Sequence, residues 1–136
     1  MSNLAPLNLI KGRIGELLVE LTLLAYKIES TKPPIDSGND LITTANGIFK
    51  TIQIKTEAHD KKSWKLPKES TRYNLLILVK LGSNWNKFDT AKIYLLKREE
   101  AGKHYRTESP ISPKIRRMLY EDDNYSLSNR LDLFYD

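Results

Sequence analysis

The stretch GNDLITTANGIFKTIQIKT, residues 38–56, decides how this chain folds. Asn46-Gly47 at its centre is the strongest short signal for a two-residue β-hairpin, because both positions accept the positive φ of a type I′ turn. Asp40-Leu41-Ile42-Thr43-Thr44 reads as a short strand leading in, and Ile48 to Thr56, rich in β-branched residues, as the strand returning. Alternation along the second strand sets Phe49, Thr51, Gln53 and Lys55 on one face, with Ile48, Ile52 and Ile54 on the other. A hairpin pivoting at Asn46-Gly47 is not expected to set Asp40 directly opposite Gln53. Instead, a carboxylate at the mouth of one strand is expected to reach a side chain near the far end of its neighbour.

Working outward, residues from about Pro6 to Ile28 read as one amphipathic helix. Ile10, Ile14, Leu17, Leu18, Leu21, Leu24, Ala25 and Ile28 recur at spacings of three and four, and this stripe is expected to face the core. Gly12 and Gly15 each cost up to about 1 kcal/mol in a helix, so they call for a close approach of backbone or ligand. Thr31 to Gly38, with Pro33 and Pro34, breaks the helix. Beyond the hairpin, His59 to Tyr73 is polar and lysine-rich and reads as a loop. Asn74 to Leu81 (NLLILVKL) is an apolar run too short for a helix and suited to a strand buried on both faces. Ala91 to Leu96 reads as another strand. Ser112-Pro113 opens an expected last helix through Ile115, Met118 and Leu119. The acidic end, with Leu127, Leu131, Leu133 and Phe134, is expected to dock on the domain or on a second subunit.

The chain has 136 residues, 40% of them hydrophobic, and no cysteine. This is one domain with a core, residues 1–136, its centre at about 6–98 and its C-terminal helix and acidic tail at about 110–136. A disulfide scaffold and thiolate zinc sites are excluded, no apolar run is long enough for a membrane span, and a cytoplasmic location is expected. The net charge of +5 is uneven. Residues 57–117 carry 15 basic and 7 acidic side chains, whereas residues 118–136 carry 1 and 5. A basic middle suits a polyanion, since phosphate contacts give sequence-independent affinity.

Three pieces converge on chemistry: Asp40 at a strand entrance, Gln53 and Lys55 on one face of the next strand, and Glu16 on the helix beside that sheet. Taken alone, Glu16 reads as a surface helix carboxylate and Asp40 as a turn cap. Together they offer hard oxygen ligands of the kind magnesium takes, with an ammonium beside them to orient water and offset charge on a phosphate.

In Gly12-Arg13-Ile14-Gly15-Glu16, then Gly38-Asn39-Asp40-Leu41, then Gln53-Ile54-Lys55, the chain resembles the PD-(D/E)xK nucleases over roughly residues 10–80. Restriction enzymes, Holliday-junction resolvases and some homing endonucleases belong to that superfamily. The resemblance implies an α/β restriction-endonuclease-like αβββαβ core, a mixed sheet flanked by helices. It implies Mg2+, with Mn2+ as a substitute, held by Asp40, Gln53 and Glu16, with Lys55 catalytic. Gln53 stands where most members carry an acid, and a homing-endonuclease branch also carries Q-x-K. Asp36, in Pro34-Ile35-Asp36, is a second candidate for the metal-binding acid. Duplex DNA is the expected partner, gripped by Lys61, Lys62, Lys65, Lys68 and Arg72, and a homodimer or tetramer is the expected assembly. The implied activity is site-specific cleavage of the restriction or homing type. A resolvase-like nuclease and a non-catalytic DNA-binding module are the alternatives. Trp64 either stacks on nucleic acid or anchors its loop. Arg116 and Arg117 are expected at the surface, as are His59 and His104, while Tyr73, Tyr94 and Tyr120 are expected to pack.

Overall fold

The computed structural model describes residues 6–33, 39–61, 64, 65, 67, 72–103, 105–107, 113–115 and 123–136. Helix α1 (Leu7–Ala25) precedes strands β1 (Glu29–Thr31), β2 (Leu41–Ala45), β3 (Ile48–Glu57), β4 (Leu75–Lys80) and β5 (Lys92–Lys97). These strands form one sheet in chain order. Every pairing is antiparallel except β3 with β4. A short helix α2 (Arg98–Lys103) follows, then a two-stranded ribbon of β6 (Tyr105–Thr107) and β7 (Pro113–Ile115). Single 3₁₀ turns shape the C-terminal end. The architecture is the expected α/β one, a mixed sheet with helices against it. The parallel β3–β4 crossover, however, contains no helix among its described residues.

The hairpin turns where Asn-Gly chemistry requires, with Asn46 and Gly47 both at positive φ (50° and 76°). The β4 run Leu75–Lys80 is almost fully buried on both faces, as an internal strand between β3 and β5 must be. It divides the core in two. Leu75, Ile77 and Val79 join Ile52 and Ile54 in a cluster under α1, while Leu76 and Leu78 pack with Trp64, Tyr73, Tyr94 and Leu96 on the opposite face.

Helix α1 sits on the sheet through Gly15, Val19 and Leu23. A Cβ at residue 15 would collide with the Thr56 side chain, so this glycine is where helix backbone meets strand β3. Gly12 has open space around it and no comparable role. The stripe expected to face the core divides: Ile14, Leu18 and Ile28 pack with the core, whereas Leu17, Leu21 and Leu24 are exposed. Two apolar rows share helical spacing here, and the glycine selects the sparser one because it lets the backbones come close.

The expected helix after Ser112 is replaced over its first residues by β7. Pro113 occupies a strand start, where its missing N–H costs nothing, and pairs with Thr107. Met118, Leu119 and Tyr120, with the charged Arg116 and Arg117, lie outside the described residues. The acidic end docks on its own domain. Leu127 and Phe134 are buried beneath the sheet, and Leu131 and Leu133 pack against the same cluster. Arg130 secures it with a two-pronged ion pair to Glu100 (2.8 and 2.9 Å) and a bond to the Leu95 carbonyl (2.9 Å). No described helix is long and apolar enough to cross a membrane.

Candidate active site

In a two-residue hairpin the paired positions move apart one by one from the turn. The pairing ends with Leu41 opposite Ile52, and Asp40 lies one residue outside β2 as a bend. It meets the neighbouring strand off register, as expected from the turn. Its main-chain N–H donates to the Ile52 carbonyl at 2.9 Å. The Asp40 side chain reaches across the same strand, and its Oδ2 accepts the Ile54 N–H at 2.7 Å. Among the described residues its Oδ1 carries no hydrogen bond.

Burial holds the Asp40 carboxyl above its ordinary pKa. The Ile54 N–H opposes that rise, the Glu16 carboxylate adds to it, and Lys55 and Lys32 pull it down again. Glu16, on α1 one residue beyond the Gly15 contact, and Lys55, two residues beyond Gln53, thus both act electrostatically on Asp40. Of the sequence-derived set, Glu16 and Lys55 come within electrostatic reach of Asp40, and Gln53 is linked to the residue before it, Asn39.

Gln53 is only 5% exposed and is held by a residue that sequence reasoning passed over. Its Nε2 donates to Asn39 Oδ1 at 3.3 Å, while Asn39 Nδ2 donates to the Arg72 carbonyl at 2.9 Å. With its nitrogen engaged, Gln53 has its amide oxygen left to accept or ligate. No motif marks Asn39; its adjacency to Asp40 in a hairpin that brings residue 53 alongside is the sole signal. Thr51 and Asn74 lock the neighbouring strand ends, Thr51 N–H donating to Asn74 Oδ1 at 2.8 Å and Asn74 N–H to the Thr51 carbonyl at 2.9 Å.

The donors available to a cation are two carboxylates and one amide oxygen. Among the described residues no three His, Cys, Asp or Glu side chains form a metal-binding cluster. That set fits magnesium, which commonly takes one or two carboxylates and keeps several waters. It does not suit zinc, which favours nitrogen and sulfur ligands. Asp36 lies outside the described residues.

In the basic segment, Lys61, Lys65 and Arg72 are exposed, whereas Lys62 and Lys68 lie outside the described residues. Trp64 anchors its loop: it is 1% exposed, its Nε1–H donates to the Val79 carbonyl at 3.2 Å, and its ring meets Tyr94 edge to face at 6.2 Å. It has no free face for a base. His59 is exposed, Tyr73 and Tyr94 are buried, and His104 lies outside the described residues.

This geometry belongs to an endonuclease-like α/β fold. The chain is similar in structure to a bacterial homing endonuclease, I-Ssp6803I, with a TM-score of 0.60 and 14% sequence identity over 96% of this chain and 93% of that one. No protein-family model matches the sequence, and no curated protein does.

Proposed function

We propose that this protein is a metal-dependent endonuclease that hydrolyses phosphodiester bonds in duplex DNA at specific sites, in the manner of restriction or homing enzymes. The surroundings of Asp40 carry the reading: a desolvated carboxylate just outside the hairpin strand lies within electrostatic reach of Glu16 and Lys55, and the residue before it, Asn39, holds Gln53. The membership of the PD-(D/E)xK superfamily that these residues suggest, and the likeness to a homing endonuclease, support it.

Asp40, Gln53 and Glu16 would hold Mg2+ or Mn2+. When bound, such an ion supplies a Lewis acid for the phosphate and lowers the pKa of a coordinated water. The residues of the chain do the rest. Desolvated Asp40, with Glu16 beside it, favours a cation that offsets its charge, although Glu16 also pairs with Arg13 at 3.0 Å. Asn39 holds Gln53 by its amide nitrogen, which leaves the oxygen to ligate. Lys55 offsets the negative charge that builds on the phosphate and orients the attacking water. Lys61, Lys65 and Arg72, exposed along the crossover, hold the backbone on either side of the scissile bond. A homodimer or tetramer would supply one such site per strand.

The direct test is cleavage of sequence-diverse supercoiled and linear DNA with Mg2+, with Mn2+ and with EDTA, comparing the wild type with Asp40→Ala and Lys55→Ala. Discrete metal-dependent fragments, absent with both variants, are expected. Cleavage that survives both substitutions would overturn the site assignment. One observation favours a second reading: Gln53 is neutral and the described residues lack a three-acid metal cluster, as suits a DNA-binding module without catalysis. That reading predicts salt-sensitive DNA binding, no cleavage, and no stabilisation by Mg2+ or Mn2+.

A further inference from the structure

The outward row of α1 has a periodicity that packing on the sheet does not explain. Leu7, Ile10, Ile14, Leu17, Leu21 and Leu24 follow one another at spacings of three and four throughout, the a and d positions of a heptad repeat. Apart from Ile14, which also packs against the core cluster, they lie away from Gly15, Val19 and Leu23, which hold the helix to its own sheet. Four of the six are exposed, Leu21 to 66% and Leu24 to 59%. The other two, Ile10 and Ile14, are half-buried. Over the 19 residues of α1, about 28 Å, the four exposed leucines of the seam belong to no hydrophobic cluster among the described residues.

The C-terminal end, the other apolar segment available for assembly, is committed to its own core through Leu127 and Phe134. Each a residue also has a d residue in a mirror position: Leu7 with Leu24, Ile10 with Leu21, Ile14 with Leu17. A two-fold antiparallel pairing of two copies therefore matches the seam to itself in six layers, as an isologous interface requires. The flanking charges choose the same arrangement. Arg13 and Glu20 occupy the two g positions, which face each other across antiparallel helices, so each copy offers an anion to the other's cation. In a parallel pair those residues would meet Leu18 and Ala25 instead, with no charge to pair. Arg13 holds only an exposed ion pair to Glu16 (3.0 Å) within its own chain, a weak competitor. The helix is already ordered by the sheet, so pairing carries little folding cost.

We infer that two copies of this chain associate through α1, antiparallel, with the Leu7–Leu24 row as the seam. The inference concerns assembly alone and stands whether or not the chain cleaves DNA.

Sedimentation velocity tests it without reference to cleavage. The wild type is expected to sediment as a dimer. Leu21→Glu sets two charges near the middle of the seam and should raise the dimer Kd by roughly 100-fold or more, with an unchanged circular dichroism spectrum because the residue is exposed. Orientation is read by cross-linking, made simple by the absence of cysteine. Residues 7 and 24 lie about 25 Å apart along the axis. An equimolar mixture of Leu7→Cys and Leu24→Cys chains should form a disulfide on mild oxidation, whereas Leu24→Cys alone should not. A monomeric wild type, or an assembly untouched by Leu21→Glu, overturns the interface. Self-linking of Leu24→Cys overturns the antiparallel arrangement.

Discussion

Glu100 and Asp40 are both partly buried carboxylates, one at the C-terminal clamp and one in the candidate site. Glu100 is surrounded with partners. Burial alone would raise its pKa, but two bonds from Arg130, the Lys97 N–H at 2.8 Å and the charge of Lys97 outweigh burial and hold it below the usual carboxylate range. Asp40 receives one backbone hydrogen bond and a second carboxylate in its surroundings, and stays above its ordinary value. The first arrangement stabilises the fold in its ionised form. The second leaves an ionised group under-compensated, a condition relieved by a cation and found more often where a protein binds or reacts than where it merely packs.

The widest separation of the two regions should come from Asp40→Asn. An asparagine oxygen still accepts the Ile54 N–H, so the fold is kept, yet a charged ligand is lost. Cleavage is expected to fall by about 1,000-fold or more in a metal-dependent nicking assay, while Tm near neutral pH rises because a desolvated charge has gone. Mg2+ should raise the Tm of the wild type and leave that of the variant unmoved. A variant that loses stability along with activity would break the comparison.

Arg130→Ala should do the reverse. It strips Glu100 of its partner and Leu95 of a donor, and should cost about 2–4 kcal/mol by urea denaturation. Specific activity of the folded fraction should hold. Asn39→Ala comes next: Gln53 loses its tether, and kcat should drop about tenfold with weaker Mg2+ affinity and an unchanged KM for DNA. A merely structural Asn39 would alter Tm and leave the metal dependence alone.

The smallest effect is in the pH dependence of stability. Glu100, with its pKa depressed on folding, contributes stability that is complete above the unfolded value of about 4.3 and is lost as pH falls through the folded one. Asp40, with its pKa raised, contributes stability that is complete below about 3.9 and is lost as pH rises through the folded value. Glu100→Gln should therefore flatten the acid limb of a Tm–pH curve, and Asp40→Asn should flatten the decline that follows above pH 4.

How much of this was legible in the sequence depended on which physical signal was unique. The Asn46-Gly47 turn admits one hairpin, and the Leu75–Lys80 run is too short and too apolar for anything but an internal strand, so β2 to β5 fell where the sequence set them. Helix α1 was legible as a helix but not in its orientation. Two apolar rows fit a helical period, the richer one divides between core and solvent, and Gly15 was the only mark of the inner one. Ser112-Pro113 reads equally as a helix start and as a strand start, and only pairing with the 105–107 segment decides. In the site, the place of Asp40 at a strand mouth, off register with Gln53, was legible from the two-residue turn, whereas the roles of Glu16, Asp40, Gln53 and Lys55 rest on the resemblance. Asn39 was illegible because its partners, an amide 14 residues away and a carbonyl 33 residues away, meet it only in three dimensions.

The burial of Trp64 bears on how this protein can change over time. The crossover between β3 and β4 is 17 residues long, longer than most connections in a compact domain. Its seventh residue, Trp64, is pinned to the Val79 carbonyl, which divides the connection into two shorter closures. Loop closure grows only logarithmically with length, each doubling costing about 0.6 kcal/mol. Residues can thus be inserted or deleted on either side of the tryptophan with little penalty and without disturbing the other side. The surface carrying Lys61, Lys65 and Arg72 is then free to vary in reach and composition while Asp40 and Gln53 stay where the hairpin holds them.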